Sequence, residues 1–196
     1  MFTGIIEACG KITAIQKEGR NVHFTVSSPI ANQLKIDQSI AHNGVCLTVV
    51  ACDDSSHTVT AIDETLSKSN LGSWDLQTTV NLERCMQMNG RLDGHLVQGH
   101  VDTTAKLINK EEANGSWIFT FQYANNPSFV TVEKGSITIN GISLTVFNSE
   151  RNQFSVAIIP YTFENTNFHE LNENDKVNLE FDIIGKYVAR LMQDKR

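Results

Sequence analysis

The chain writes one thirteen-residue stretch twice. Ser39-Ile40-Ala41-His42-Asn43-Gly44-Val45-Cys46-Leu47-Thr48-Val49-Val50-Ala51 returns as Ser136-Ile137-Thr138-Ile139-Asn140-Gly141-Ile142-Ser143-Leu144-Thr145-Val146-Phe147-Asn148, with seven of thirteen pairs identical. Chance would give about one identity, so any fold of this chain must contain the same local unit twice. In each copy two β-prone segments meet at Asn-Gly, a pair that tolerates the positive φ angles of a tight type I′ hairpin turn. Past the turn, alternation puts Val45, Leu47 and Val49 on one face of a strand, as it does Ile142, Leu144 and Val146. Cys46 and Thr48, or Ser143 and Thr145, take the other face. The apolar face requires a core, and the small hydrogen-bonding groups opposite are free to meet a polar ligand.

The repeat extends over most of the chain. Gly4-Ile5-Ile6 answers to Gly99-His100-Val101, Asn70-Leu71 to Asn167-Phe168, and Val80-Asn81-Leu82-Glu83 to Val177-Asn178-Leu179-Glu180. Runs rich in Val, Ile, Thr and Phe predict six short strands per half, at a spacing typical of small barrels or sandwiches. In the first half they fall at roughly 2–14, 22–28, 38–42, 45–52, 57–63 and 79–85; in the second, at roughly 97–109, 116–123, 135–139, 142–148, 153–159 and 176–183. Two brief helices per half are expected, one opening at Ser28-Pro29 and its partner at Asn126-Pro127, the others following Thr65 and Thr162. Met86 to Arg91 lacks strand alternation and holds a Gly, which marks the joint. The expected division is a barrel over 1–88, a second over 89–184, and a terminal helix over 185–196. Tyr187, Val188, Leu191 and Met192 give that helix one apolar stripe, which must pack on the body or on another copy of the chain.

The chain carries net charge −6 with scattered cations, which disfavours nucleic acid and anionic membrane as partners. No window approaches the roughly 18 apolar residues of a spanning helix, and the expected location is the cytoplasm. Cys9, Cys46, Cys52 and Cys85 show neither CxxC pairing nor metal-ligand spacing, so reduced thiols and no metal site are expected.

These motifs are similar to those of the riboflavin synthase family. The resemblance runs from Met1-Phe2-Thr3-Gly4-Ile5 to Gly185-Lys186-Tyr187. It includes Ala41-His42-Asn43-Gly44-Val45-Cys46-Leu47-Thr48-Val49, Gly94-His95-Leu96-Val97-Gln98-Gly99-His100-Val101, Lys134-Gly135-Ser136-Ile137, Gly141 to Val146, and Ile159-Pro160-Tyr161-Thr162. It implies an all-β fold of two tandem six-stranded Greek-key β-barrels related by duplication, plus a C-terminal α-helix that assembles a homotrimer. It also implies an enzyme that dismutates two 6,7-dimethyl-8-ribityllumazine molecules into riboflavin and a diaminopyrimidine by transfer of a four-carbon unit. No cofactor is implied, because the C7 methyl of the lumazine is itself acidic. Lumazine synthase is a further partner the resemblance allows.

Carried over residue by residue, the resemblance implies one lumazine site per barrel. The first is expected against Gly4, Ile5 and Ile6, against Cys46, Leu47 and Thr48, and against Thr60, Ala61, Ile62, Asp63, Glu64 and Thr65. The second is expected against Gly99, His100 and Val101, Lys134, Ser143, Leu144 and Thr145, and Ile159, Pro160, Tyr161, Thr162, Phe163 and Glu164. His100 is the candidate for proton transfer, since imidazole titrates near neutral pH. Ser143, assisted by Thr145, would hydrogen-bond the donor or deliver water, and Cys46 would do the same for the acceptor. The resemblance also implicates Phe2, whose ring would sit against a ligand, and Asp182. By residue type alone His95 and His42 read as hydrogen-bonding partners. Many relatives carry Asp where this chain has Asn140, so a role needing negative charge there is not expected. The competing function is a non-catalytic lumazine- or flavin-binding antenna on the same barrels. Such proteins keep the first-barrel site while the second drifts, whereas Ser143, Thr145, His100 and Lys134 persist here.

Overall fold

The structure is a computed structural model and describes residues 1–193. The first half forms β1 (Ala8–Glu18), β2 (Asn21–Ser27), β3 (Ser39–His42), β4 (Val45–Cys52), β5 (Ser56–Ala61) and β6 (Thr79–Arg84). The second forms β7 (Thr103–Ala113), β8 (Ser116–Tyr123), β9 (Ser136–Ile139), β10 (Ile142–Phe147), β11 (Gln153–Ile158) and β12 (Lys176–Phe181). Each set closes into an antiparallel Greek-key barrel, in the order β1-β2-β5-β4-β3-β6 and, equivalently, β7-β8-β11-β10-β9-β12. The pleat puts Val45, Leu47 and Val49 into the first core beside Phe24, Val59 and Trp74. Ile142 and Val146 enter a more aromatic second core with Phe119, Phe121, Phe154 and Phe168, against which Leu144 packs.

The repeated Asn-Gly turns do more than reverse the chain. Asn43 and Gly44 take φ values of 46° and 79°, and Asn140 and Gly141 values of 46° and 83°, as a two-residue type I′ turn requires. The turns then meet: a Cβ on Gly44 would lie 2.8 Å from the Gly141 nitrogen, and one on Gly141 would lie 2.8 Å from the Gly44 nitrogen. This reciprocal contact marks an approximate two-fold axis between the barrels. Around it, the Asn43 and Asn140 Oδ1 atoms accept from the Asn81 and Asn178 amides at 2.8 and 2.9 Å. The Asn81 and Asn178 Nδ2 groups donate across the axis to the Asn140 and Asn43 carbonyls, both at 2.9 Å. Asn140 is thus a buried joint residue whose task is to accept a hydrogen bond, and a neutral amide suffices.

Three sequence expectations are corrected. β1 and β7 begin at Ala8 and Thr103 rather than near 2 and 97, because the segments before them leave their own barrels as arms. Ser28-Pro29 opens only a turn that leads into a 3-10 turn at Ala31–Gln33, the Ser28 hydroxyl caps nothing, and Asn126-Pro127 forms a turn stabilised by Asn126 Oδ1. The short helices α1 (Asp63–Lys68) and α2 (Pro160–Glu164) begin before Thr65 and Thr162 rather than after them.

The terminal helix α3 spans Ile183–Gln193; residues 194–196 of the expected segment lie outside the described residues. Asp182 Oδ1 accepts from the Ile184 amide at 2.9 Å and caps it. Lys186 fastens the helix to the second barrel through Asp102 at 2.6 Å. Tyr187, Val188, Leu191 and Met192 remain more than half exposed, so the apolar stripe does not pack on its own chain.

Candidate active site: two pseudo-symmetric polar faces

Two arms organise the site. Residues 1–7 and 94–102 pair briefly with each other, the Phe2 amide donating to Val97 at 2.8 Å, the Val97 amide to Phe2 at 3.1 Å and the His95 amide to Thr3 at 3.1 Å. Each arm then crosses to the other barrel. The Ser143 amide on β10 donates to the Gly4 carbonyl at 2.8 Å, and the Cys46 amide on β4 donates to the Gly99 carbonyl at 2.9 Å. Gly4 and Gly99 have φ values of +79° and +80°, and a Cβ at either would lie within 2.7 Å of the Cβ of Ser143 or Cys46. Only glycine permits so close a crossing.

The grouping expected from sequence is therefore exchanged. Gly99, His100 and Val101 lie with Cys46 on the first barrel, and Gly4 lies with Ser143 on the second, with Ile6 packed on the second core, while Ile5 is exposed and lines a cleft with Glu83 and Arg84. His100 consequently belongs to the Cys46 face and not, as expected, to the Ser143 face. A duplicated sequence equates the arms with each other but is silent about the barrel each one covers.

The first face is a cleft of about 220 Å³ lined by Val45, Cys46, Glu64, Thr65, Lys68, Ser69, Gly99, His100 and Val101. Burial pushes the Cys46 thiol above its ordinary range, so it stays protonated and serves as a weak hydrogen-bonding group rather than a thiolate. The His100 ring is exposed at the rim, while its amide is fixed by Glu180 Oε2 at 2.8 Å. Thr60 is engaged by His23 Nδ1 at 2.8 Å, Asp63 and Glu64 are exposed, and Ile62 is exposed beside α1.

On the second face the Ser143 hydroxyl lies 2.6 Å from His95 Nδ1, and His95 Nε2 lies 3.2 Å from the Thr138 hydroxyl. With Nε2–H donating to Thr138, Nδ1 is left to accept the Ser143 proton, which raises the nucleophilicity of that oxygen. Burial lowers the His95 pKa and Asp182 opposes the shift, so the imidazole is held neutral, with a ring nitrogen free to accept a proton. The imidazole beside Ser143 is thus His95, read from sequence only as a hydrogen-bonding partner. Gly94 next to it is obligatory, because a Cβ there would strike the Thr3 carbonyl and Ser143. Thr145 is exposed on the same strand face, and Ile159, Pro160, Tyr161, Thr162, Phe163 and Glu164 form the β11-to-α2 corner that answers to the stretch from Ile62 to Ser67. Phe163 stacks on Trp117 with ring centroids 3.8 Å apart.

Other expected site residues fall behind these faces. Phe2 is fully buried against Ala41, Val97 and Cys46, so its ring supports the Cys46 strand and cannot itself meet a ligand. Leu47 and Ala61 point into the first core and offer only backbone. Lys134 is exposed in the turn before β9, its amide bonded to Val146 at 2.9 Å, beyond Ser143 along β10. Asp182 caps α3, and its charge opposes the fall in the His95 pKa. Sequence reasoning passed over Glu83 and Glu180, which hold the arms; their signal was an acid ending each copy of the Val-Asn-Leu-Glu strand.

A larger cleft, about 510 Å³, lies elsewhere, between the first arm and residues 84–93, and includes none of Cys46, His100, Ser143 or Thr145. Its cations are already engaged, Arg84 with Glu7 at 2.6 Å and Arg91 with Asp93 at 3.2 Å. Among the described residues no group of three or more His, Cys, Asp or Glu side chains is placed to hold a metal, and no helix is long and apolar enough to cross a membrane.

The lumazine binding domain family matches residues 3–85 and again 98–182, the two barrels with their arms. Riboflavin synthase of Actinobacillus pleuropneumoniae is 40% identical over 196 residues, covering 100% of this chain and 91% of the relative. Riboflavin synthase of Bacillus subtilis is 39% identical, covering 98% and 90%. That of Mycobacterium tuberculosis H37Rv is 39% identical, covering 98% of each. In fold, the crystal structure of LumP complexed with 6,7-dimethyl-8-(1'-D-ribityl) lumazine superposes with a TM-score of 0.84 at 21% identity, covering 92% of this chain and 99% of that one. Duplicated lumazine-binding barrels are thus the class that fold and site define. Within that class the chain belongs to the riboflavin synthase family.

Proposed function

We propose that this chain is a riboflavin synthase that converts two 6,7-dimethyl-8-ribityllumazine molecules into riboflavin and 5-amino-6-ribitylaminopyrimidinedione. The observation that carries this reading is that one chain keeps two equivalent ligand faces, while one of them adds a serine hydroxyl bonded to a neutral histidine. Two copies of one substrate need two similar sites with different chemistry. An antenna needs one site and no base.

In this reading Ser143 and His95 move the proton of the donor lumazine's C7 methyl, whose conjugate base is delocalised over the ring. Cys46 and His100 address the acceptor held on the other face. Loss of a four-carbon unit from one lumazine balances its gain by the other, so the reaction calls for no external oxidant or reductant. Amide-like ring edges meet the backbone of the Gly4 and Gly99 arms, and the ribityl hydroxyls meet Thr65, Glu64 and their counterparts near Thr162. Pockets that enclose such a ligand measure about 300–1,000 Å³, so the 220 Å³ first face is one wall of a site rather than a whole one. A neighbouring chain supplies the other wall in a homotrimer held by the exposed α3 stripe.

Purified protein incubated with the lumazine alone should accumulate riboflavin, read by its absorbance and fluorescence, and binding without turnover would favour the antenna instead. Ser143→Ala and His95→Gln should each lower kcat by about a hundredfold or more while lumazine affinity changes less than about threefold, the pattern of an interaction made in the transition state. Unchanged single-turnover rates in both would remove the pair from the mechanism.

A further inference from the structure

Each barrel ends on a buried carboxylate that the proposed chemistry does not use. Glu83 and Glu180, the penultimate residues of β6 and β12, are 4% and 3% exposed. Among the described residues neither forms an ion pair; their oxygens are spent on the arms. Glu83 Oε1 accepts from the Thr3 amide and hydroxyl, both at 2.7 Å, and Oε2 from the Gly4 amide at 3.0 Å. Glu180 Oε1 accepts from the Gln98 amide at 2.6 Å, and Oε2 from the Gly99 and His100 amides at 2.9 and 2.8 Å.

Removing a carboxylate from water is costly, and bonds from neutral donors offset that cost only when several converge with good geometry. The convergence here is on the two backbone turns that cross between barrels. We propose that Glu83 and Glu180 are positioning residues, each setting the ligand face of the barrel opposite its own. Glu83, in the first barrel, pins the turn whose Gly4 carbonyl receives the Ser143 amide of the second. Glu180, in the second barrel, pins the turn whose Gly99 carbonyl receives the Cys46 amide of the first, and fixes His100 without touching its ring. The backbone amides can only donate, so the geometry suits a carboxylate even though burial raises the pKa of both side chains: a glutamine would turn an NH2 group toward an N–H. The catalytic consequence rests on the functional reading above, but the structural dependence does not.

Amide hydrogen exchange on the full-length chain separates the two faces. In Glu180→Gln, the Cys46 amide should exchange at least about tenfold faster while Ser143 stays within about twofold of wild type; in Glu83→Gln the pattern should reverse. Thr3→Val removes one bond to Glu83 at a half-buried position, and should accelerate Ser143 alone to a smaller degree, so it decides the matter if a Gln variant fails to fold. Acceleration on the carboxylate's own barrel, on both faces equally, or on neither would overturn the proposal. With turnover established, each Gln variant should also lose kcat more than lumazine affinity. A wild-type chain that makes no riboflavin would overturn the proposed function and leave the exchange pattern to judge this inference.

Discussion

Lowering the pH from about 6.5 to about 4 should unfold the first barrel while the second stays intact, because only the first keeps two histidines in its core. His42 and His57 are 0% and 1% exposed, and their Nε2 atoms lie 2.8 Å apart. His42 Nδ1 donates to the Ile40 carbonyl at 3.3 Å, so its Nε2 is the acceptor and His57 Nε2–H the donor. His57 Nδ1 is then a bare lone pair with no partner, and a proton added there would find no acceptor. Burial, with His57 nearby, lowers the His42 pKa to about 3, and burial lowers that of His57 to about 4. Both rings are therefore neutral in the folded chain at pH values where the unfolded chain protonates them. Their stability contribution is complete above about pH 6.5 and is lost as pH falls toward 4, at about 1.4 kcal/mol per pH unit for each ring. Two rings over two units lose about 5 kcal/mol, which rivals the total stability of a typical domain.

The second barrel has Ile139 and Phe154 at the equivalent places, both fully buried. One tryptophan reports on each half: Trp74 packs on Phe24 in the first core, and Trp117 stacks on Phe163 in the second. In a Trp117→Phe background, the Trp74 emission should change with a midpoint between pH 4 and 6, and His42→Ile/His57→Phe should move that midpoint down by at least about one unit. A Trp74 signal steady to pH 3.5, or a midpoint unmoved in the double variant, would show that the pair does not govern acid stability.

What the sequence disclosed was local or repeated. Asn43-Gly44 and Asn140-Gly141 announced their turns because φ above zero has few amino-acid solutions, and Val45, Leu47 and Val49 announced their face because a pleat alternates. Ser28-Pro29 misled because the same Ser-Pro grammar begins a turn as readily as a helix. The crossing of the arms was invisible for a deeper reason. Exchanged and unexchanged arrangements bury the same Phe2, use the same glycines and leave the same repeat, so only long-range hydrogen bonds such as Ser143 to Gly4 distinguish them. That error carried His100 to the wrong face and hid His95. Glu83 and Glu180 were legible in principle, since an acid that ends an otherwise buried strand pattern in both copies asks for a partner, but the partners are backbone groups that leave no trace in composition.

Mixed trimers should recover activity that both parents lack. Two lumazines must react face to face, yet within one chain an approximate two-fold axis relates the Cys46 face to the Ser143 face. Rings on two such faces stack only if the faces meet on the axis, and there the chain has placed the abutting Gly44 and Gly141 turns and the Phe2–Val97 bridge. No substrate fits between them. In the proposed function the facing surface comes from a neighbour, and the exposed Tyr187, Val188, Leu191 and Met192 of α3 are the apolar stripe proposed to hold it. Deleting residues 183–196 should leave both barrels folded and able to bind lumazine while reducing riboflavin formation by at least about a hundredfold, the scale of a lost reacting partner. For the sharper test, Cys46→Ala/Thr48→Ala chains are mixed with Ser143→Ala/Thr145→Ala chains after mild dissociation, once each parent is known to be nearly inactive. A cyclic trimer of two kinds of chain contains one junction where an intact first face meets an intact second face, so turnover should approach about one third of wild type per mixed trimer. If each site lay within a single chain, every site in every mixture would carry a defect. Subunit exchange demonstrated by mass, with no recovery of riboflavin formation, would therefore place both substrates in one chain.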